Sequence, residues 1–181
     1  MIKQDDVSSF YRYTFPMQAV LVTCKDDDNK TNIITIAWHT TLSKQPPLYG
    51  ISVAPSRYSH DLIKNSKEFV INFMSYPHAE AVHYCGSHSG RNNDKINNIP
   101  VTFTPSKHLS TPGITQAHAR LECTLHDTVT VGDHSLFVGK VIHLDIQPEA
   151  YENQLLHIQK LQPLFYLGKN TYTNGKDQQS F

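Results

Sequence analysis

The chain has 181 residues, and its 16 lysine and arginine residues balance 16 aspartate and glutamate residues. This length suits one globular domain, and the balanced charge gives no basic surface of the kind that binds nucleic acid. The three cysteines show no C-x-x-C spacing, so we expect neither a disulfide framework nor a zinc ribbon. No segment has the apolar length of a membrane span or a signal peptide, so we expect a cytoplasmic protein without membrane contact.

The first elements in chain order have a β-type pattern. Apolar runs at 16–24 and 32–39 flank a polar turn and predict a hairpin. The turn contains three consecutive aspartates, 26–28, but no Gly and terminal Glu complete a calcium loop. Local bonds between side chains and the backbone explain these aspartates more simply, and we interpret the segment as a plain turn.

Further elements follow between residues 48 and 98. We predict a strand at 48–54 after a pair of prolines, a helix at 59–65 capped by Ser59, a strand at 68–73 and a short helix at 77–84. Segment 86–98 is rich in Gly, Ser, His and Asn and predicts an exposed loop.

The second half of the chain predicts two long strands and a short helix. Residues 117–125 alternate apolar and polar side chains, which indicates a strand with one face buried and one in water. The turn Gly132-Asp133-His134 leads into a strand at 136–146, a helical pattern follows near 151–160, and we expect the polar tail to be mobile. Many strands joined by short turns favour an antiparallel β-barrel with a few short helices.

Three polar clusters contain residue types that bind phosphate or the polar edge of a ring. The strand around Thr35 runs into Trp38 and several hydroxyl groups. Arg57 stands at a helix start, where unpaired N–H groups favour an anion. Arg91 and Lys95 place two cations in the 86–98 loop. A threonine-rich strand, a surface arginine and a solvated loop remain the ordinary alternatives.

Histidines and cysteines give weaker signals. The group nearest to a metal-binding pattern is His78, His83, Cys85 and His88, but it has no paired short spacings, and we expect no metal. Cys85 borders the polar loop and is expected to be partly exposed. His134 stands in a turn, where it either faces a ligand or is simply exposed. Neither a dinucleotide-binding glycine motif nor a P-loop occurs.

The chain resembles the flavin reductase-like family, which includes the flavoredoxins, in four strings that occur in the same order: NIITIAWHTTLSKQPPLYGISVAPSRYSHDLIKNSKEFVINF, CGSHSGRNNDK, LEC and GDHSLFVGKV. The resemblance implies a mainly β fold, the FMN-binding split β-barrel with a few short helices. It implies one flavin reductase-like domain over 1–181, with a core at about 16–146 and a C-terminal extension at 147–181. It also implies non-covalent FMN near the interface of a homodimer.

The resemblance further implies the residues of the flavin site. Along the isoalloxazine ring it places Thr35, Ala37, Trp38, His39 and Thr40. At the ring edge, ribityl chain, phosphate and helix start it places Ser52, Val53, Ala54, Arg57 and Ser59. The remaining cofactor-binding residues are Asn72, Ser89, Arg91 and Lys95, and His134 is the implied catalytic residue at the open face of the ring. Ile96 departs from the pattern, because relatives commonly have an aromatic residue there.

Two functions follow from the resemblance. One is an NAD(P)H-dependent flavin oxidoreductase, with NADH or NADPH as co-substrate. The alternative is a flavoredoxin-type electron carrier that holds FMN tightly and serves a redox protein partner. A third reading is a barrel that has lost flavin and binds another planar ligand. In the first two functions the redox chemistry belongs to the cofactor, which explains why the sequence shows no catalytic triad or carboxylate pair.

Overall fold

The computed structural model describes residues 7–175. Its strands are β1 (Met17–Gln18), β2 (Val20–Lys25), β3 (Thr31–Ile36), β4 (His39–Lys44), β5 (Pro47–Val53), β6 (Glu68–Phe73), β7 (Phe103–Thr104), β8 (Gly113–Ile114), β9 (Ala119–Val131), β10 (His134–Ile146), β11 (Tyr151–Glu152), β12 (Leu155–Leu156), β13 (Leu164–Gly168) and β14 (Thr171–Asn174). Its α-helices are α1 (Tyr58–Ser66), α2 (Ala79–Ser87) and α3 (Ile158–Leu161). Part of the tail predicted to be mobile lies beyond residue 175, outside the described residues.

Seven antiparallel strands form the main sheet, in the order β3-β2-β6-β9-β10-β5-β4. The predicted hairpin is confirmed, since β2 pairs with β3 from Val20 opposite Ile36 to Lys25 opposite Thr31. In its turn, Oδ1 of Asp26 accepts hydrogen bonds from the backbone N–H groups of residues 28 and 30. The side chain of Asp26 thus stabilises the turn through hydrogen bonds to its own backbone segment.

The sequence predicted one continuous strand over 32–39, but the structure divides this segment between two strands. The ladder of β3 ends at Ile36, and the chain bends at Ala37 and Trp38 before it joins the opposite edge of the sheet. A separate strand, β4, then begins at His39 and pairs with β5. Alternation could not locate this break, because threonines favour strand conformation on both sides of it.

The helix predicted at 59–65 forms, but its start differs. It begins at Tyr58, and no side chain caps its first turn. The hydroxyl of Ser59 instead accepts a hydrogen bond from Nδ2 of Asn32, 2.7 Å away, on the neighbouring strand β3. The helix predicted at 77–84 begins as a 3-10 turn and continues as α2 to Ser87, three residues beyond the expected end.

The polar face of β9 is covered rather than exposed, which corrects the prediction of a half-buried strand. Glu122 is 1% exposed, and its carboxylate accepts hydrogen bonds from the backbone N–H groups of Lys107 and His108. Glu68 on β6 holds Thr111 of the same loop in a similar way. Two carboxylates therefore fasten the 105–111 loop over the sheet by satisfying its backbone donors.

The helical pattern predicted for 151–160 is mostly wrong. Residues 151–156 form a two-stranded hairpin, and only the four residues of α3 are helical. Asn153 and Gln154 have positive φ angles of 50° and 66°, a conformation that closes a tight hairpin turn and interrupts a helix. Beyond them, β13 pairs with both β1 and β14, so the last strands join the beginning of the chain.

Two apolar clusters lie on opposite faces of the sheet. One fills the inside of the curved sheet around Phe69 and Phe137 and is closed by Leu62 and Ile63 of α1. The other lies beneath α2 and includes Val82 and residues of the 96–117 segment. The two helices consequently pack on either side of β3. Within the described residues, no helix combines the length and apolar character that a membrane span requires.

His118 provides a test of this packing. The residue is 2% exposed, its Nε2 has no hydrogen-bond partner among the described residues, and burial lowers its pKa to about 4. Between the ordinary pKa of 6.5 and this value, the unfolded chain binds a proton that the folded chain excludes. We expect the free energy of unfolding to fall by about 2 kcal/mol between about pH 7 and about pH 5 from this residue.

Urea unfolding of the wild type and of His118→Phe at these two pH values measures the effect. The variant should lose this part of the pH dependence and retain the parts from His39 and His78, whose pKa values burial also lowers. An identical pH dependence in both proteins would show that His118 is not held neutral by burial.

Candidate functional site

A cavity of about 370 Å³, which we call the main cavity, opens where α1 begins, α2 ends and strands β3 and β5 leave the sheet. Its size lies in the range of small-molecule and cofactor sites. Its lining residues are Ile34, Thr35, Ile36, Ala37, Trp38, Ser52, Val53, Ala54, Ser56, Arg57, Tyr58, Ser59, Cys85, Gly86, His88, Ser89, Gly90, Lys95 and His134. The fold therefore brings together segments that are up to about one hundred residues apart in sequence.

Most of the site residues expected from the sequence line this cavity. They are Thr35, Ala37, Trp38, Ser52, Val53, Ala54, Arg57, Ser59, Ser89, Lys95 and His134. The structure places His39, Thr40, Asn72 and Arg91 outside it. Sequence reasoning missed Tyr58, Gly86, His88 and Gly90, although the last three lie within the string CGSHSG that carries part of the resemblance.

Close packing of α2 and the following loop against β3 shapes one wall of the main cavity. A Cβ atom at Gly86 would lie 3.3 Å from Cβ of Thr35, and one at Gly90 would collide with Oδ1 of Asn32. The hydroxyl of Thr35 donates a hydrogen bond to the carbonyl of Val82. Two glycines thus allow the backbone to approach the strand more closely than other residues would.

Lys95 carries a positive charge into this wall. The residue was expected in an exposed loop, but it is 6% exposed, and its Nζ donates to the carbonyls of Ile33 and Cys85 at 2.8 and 2.9 Å. Burial lowers its pKa, and the nearby Arg57 lowers it further. An ammonium group has three N–H donors, so one remains beyond these two bonds.

Arg57 faces the cavity from the start of α1. Its backbone has the extended conformation of an N-cap residue, and its side chain is exposed and forms no ion pair among the described residues. The first turn of α1 adds unpaired N–H groups and the positive end of a helix dipole. No aspartate or glutamate stands among the lining residues to balance these charges. The arrangement can therefore hold an anion.

One end of the cavity is aromatic. The rings of Trp38 and His134 lie 5.0 Å apart, and Trp38 is 36% exposed. Nδ1 of His134 lies 2.7 Å from Oδ1 of Asp133, and this bond lowers the pKa of the aspartate. No described residue bonds to Nε2 of His134. A planar ligand would therefore meet an indole and an imidazole at this end.

His39 serves the fold, as its contacts show. Its Nε2 lies 2.9 Å from the carbonyl oxygen of Gln18, and its Nδ1 lies 2.7 Å from the hydroxyl of Tyr49. A bond to a carbonyl requires Nε2–H to donate. Burial lowers the pKa of His39 and so favours the neutral ring, in which Nδ1 accepts a hydrogen bond from the tyrosine hydroxyl. Together with Thr40, His39 lines a separate surface cavity.

Asn72 has contacts away from the main cavity, whereas Arg91 contacts one of its lining residues, Tyr58. Asn72 is fully buried; its Nδ2 donates to the carbonyl of Leu21, and its Oδ1 accepts from the N–H of Ile114. It joins β2, β6 and β8. Arg91 lies over the ring of Tyr58, with 5.5 Å between its guanidinium carbon and the ring centroid.

The histidines and cysteine considered for a metal have other surroundings. Cys85 is 1% exposed, which corrects the expectation of partial exposure, because α2 continues past it. Burial raises its pKa to about 11, so it remains a thiol. His88 stacks on Tyr84, with ring centroids 4.0 Å apart. A different group, Glu122, His143 and Asp145, has ligand atoms within 4.8 Å of one another.

Asp145 in that group is bound to Arg120, with 2.9 Å between the guanidinium nitrogen and Oδ2. Both oxygens of Glu122 accept backbone N–H groups of the covering loop. These contacts satisfy the two carboxylates without an ion.

Comparison with known proteins identifies the family and the fold of the chain. The model of the flavin reductase like domain matches residues 11–170. An uncharacterized protein of Pyrococcus abyssi is 37% identical over 142 residues, which cover 78% of this chain and 81% of the relative. An FMN-binding protein from Thermus thermophilus, solved with bound p-hydroxybenzaldehyde, matches 100% of this chain and 98% of its own, with a TM-score of 0.84 and 27% identity.

The flavoredoxin of Desulfovibrio vulgaris (Miyazaki F) matches with a TM-score of 0.87, covering 100% of this chain and 97% of its own. At 22% identity this likeness shows the fold, which is the split barrel of flavin reductase-like proteins. The matched residues 11–170 include β13, which pairs with β1 near the start of the chain. The chain belongs to the flavin reductase-like family.

Proposed function

We propose that the chain binds FMN non-covalently in the main cavity and acts as an NAD(P)H-dependent flavin oxidoreductase. The observation that carries the proposal is the pair of cations, Lys95 and Arg57, which share one cavity without a carboxylate among its lining residues. Two positive charges that face one cavity repel each other, and a dianionic ligand group would relieve this repulsion. A phosphate group has this charge and accepts several hydrogen bonds.

The remaining lining suits the rest of FMN. Ser52 and Ser59 bring hydroxyl groups near the ends of β5 and the start of α1, and the backbone turns at Ala37. A flavin site needs polar donors and acceptors for the ring edge and a flat apolar surface for the ring itself. Trp38 and Val53 supply apolar surface in the same cavity.

His134 is the residue that we assign to the second substrate. It lies at the aromatic end of the main cavity and is the first residue of β10. Its bond to Asp133 fixes the imidazole and leaves Nε2 without a described partner. When bound, FMN would supply the group that accepts hydride from a nicotinamide. His134 would then orient that nicotinamide rather than provide the redox chemistry.

A homodimer is part of the proposal. Ile142, Leu144 and Ile146 form a row on one side of β10, and they are 37%, 54% and 49% exposed. This part of β10 extends beyond the residues that pair with β5. Exposed apolar rows of this kind favour contact with another protein surface, and a second copy of the chain fits the expectation from the family.

The anion site is tested by Arg57→Gln. Loss of one exposed charge-assisted hydrogen bond should weaken FMN binding by about 1.5 kcal/mol, roughly tenfold. Quenching of flavin fluorescence during titration with the protein measures the affinity. Lys64→Gln is the matched control, because it removes a positive charge from the same helix outside the cavity. Equal affinities in the two variants would place the phosphate elsewhere.

The role of His134 is tested by His134→Ala. We expect FMN affinity close to that of the wild type and a rate of flavin reduction by NADH or NADPH that falls by about tenfold or more, because the nicotinamide loses its orientation. His126→Ala, an exposed histidine on β9, is the control. Anaerobic bleaching of the flavin absorbance gives the rate. A wild type that holds FMN but is not reduced by either nucleotide would instead be an electron carrier.

A further inference from the structure

A second large cavity, which we call the aromatic cavity, lies beside the main cavity and measures about 700 Å³. It is lined by Tyr11, Arg12, Phe15, Trp38, Tyr166, Leu167, Gly168, Lys169 and Thr171. Trp38 belongs to both cavities. A molecule in the aromatic cavity would therefore contact the indole that also faces the main cavity.

Aromatic rings form the walls of this cavity. Tyr11 meets Trp38 edge to face, with ring centroids 5.9 Å apart, and Phe15 meets Tyr166 in the same way at 5.2 Å. Such a lining offers both ring faces and ring edges to a planar guest. The cavity is thus suited to an aromatic ring rather than to a flexible polar chain.

The turn between β13 and β14 packs against this wall. Gly168 has a φ angle of +93°, and a Cβ atom there would lie 3.1 Å from Cε2 of Phe15. Lys169 and Asn170 follow with positive φ angles of 48° and 61°. Glycine therefore permits both the turn and the close contact, and the turn carries Lys169 to the edge of the cavity.

The charges at the edge of the cavity are all positive. Arg12 and Lys169 line it, and neither forms an ion pair with any described carboxylate. The guanidinium carbon of Arg12 lies 5.7 Å from the centroid of the Tyr11 ring, and its Nε lies 3.4 Å from the tyrosine hydroxyl oxygen. These contacts hold the arginine beside the aromatic wall, where its planar fork suits a carboxylate.

We infer that the aromatic cavity binds a small planar aromatic carboxylate, with its ring among the aromatic side chains and its carboxylate between Arg12 and Lys169. The aromatic walls select the ring, and the two unpaired cations select the negative charge. Such a carboxylate would be a second ligand of the protein, bound next to Trp38. That it lies beside a flavin rests on the proposed function, whereas its binding does not.

Trp38 is the one tryptophan of the chain and lines both the aromatic cavity and the main cavity. Its fluorescence therefore reports binding in either cavity, and variants of the two cations at the edge of the aromatic cavity then identify which one is occupied. We would titrate the full chain without flavin with benzoate and with benzamide, two planar probes of similar size that differ in charge. Benzoate should change the fluorescence and bind about tenfold more tightly than benzamide, since two cations face the carboxylate. Equal affinities for the two probes, or no binding of either, would overturn the inference.

Two variants test whether Arg12 and Lys169 cause the preference for benzoate over benzamide. Arg12→Gln and Lys169→Gln should each lower benzoate affinity by about fivefold and leave benzamide affinity unchanged, because an exposed charge is partly screened. Lys140→Gln removes an exposed charge outside the cavity and should have no effect. Unchanged benzoate affinity in both Arg12→Gln and Lys169→Gln would refute the assignment.

A parallel FMN titration separates this inference from the proposed function. Both variants should keep the FMN affinity of the wild type, because neither residue lines the main cavity. A chain that binds FMN but shows no benzoate preference would refute the aromatic-acid site alone. A chain that prefers benzoate but does not bind FMN would support this site and refute the proposed function.

Discussion

The burial of the Lys95 ammonium group shapes the site more than any other interaction. Removing a charge from water is costly, and the lowered pKa of Lys95 reflects that cost. The carbonyls of Ile33 on β3 and Cys85 on α2 offset part of it, and in doing so they join the strand to the helix. Neither carbonyl carries a full negative charge, so the site keeps a positive charge that an anionic ligand can balance.

The same region depends on how closely α2 and its following loop approach β3. Gly86 and Gly90 remove side chains at the contact, and Asn32 connects β3 to Ser59 at the start of α1. The walls of the cavity are thus fixed to one strand from both sides of the sheet. A phosphate bound there would meet a prearranged set of donors, which reduces the entropy lost on binding.

Regular alternation and turn residues were sufficient to predict much of the sheet from the sequence. Residues 68–73 and the hairpin around the Asp26 turn follow such patterns and form as expected. The predictions failed where a distant segment decides the environment. The 105–111 loop buries Glu122, and contacts with β3 and α2 bury Lys95, although both residues are charged and stand in polar patterns.

The site was predictable to a similar degree. A resemblance over several strings indicated most of the cavity lining, because the family pattern reflects a shared three-dimensional arrangement that local periodicity cannot show. It did not distinguish residues that face the cavity from residues that support the fold. Asn72 and His39 both belong to the family pattern, but their side chains bond to the backbone of other strands. Only long-range contacts reveal this difference.

We propose that the main cavity recognises the phosphate of its ligand through Lys95 and Arg57. The decisive measurement compares the affinities of FMN and riboflavin, because the two molecules differ by that phosphate. We predict that FMN binds about ten to a hundred times more tightly and that added salt reduces this advantage. Equal affinities for FMN and riboflavin at low salt would show that Lys95 and Arg57 do not bind the phosphate.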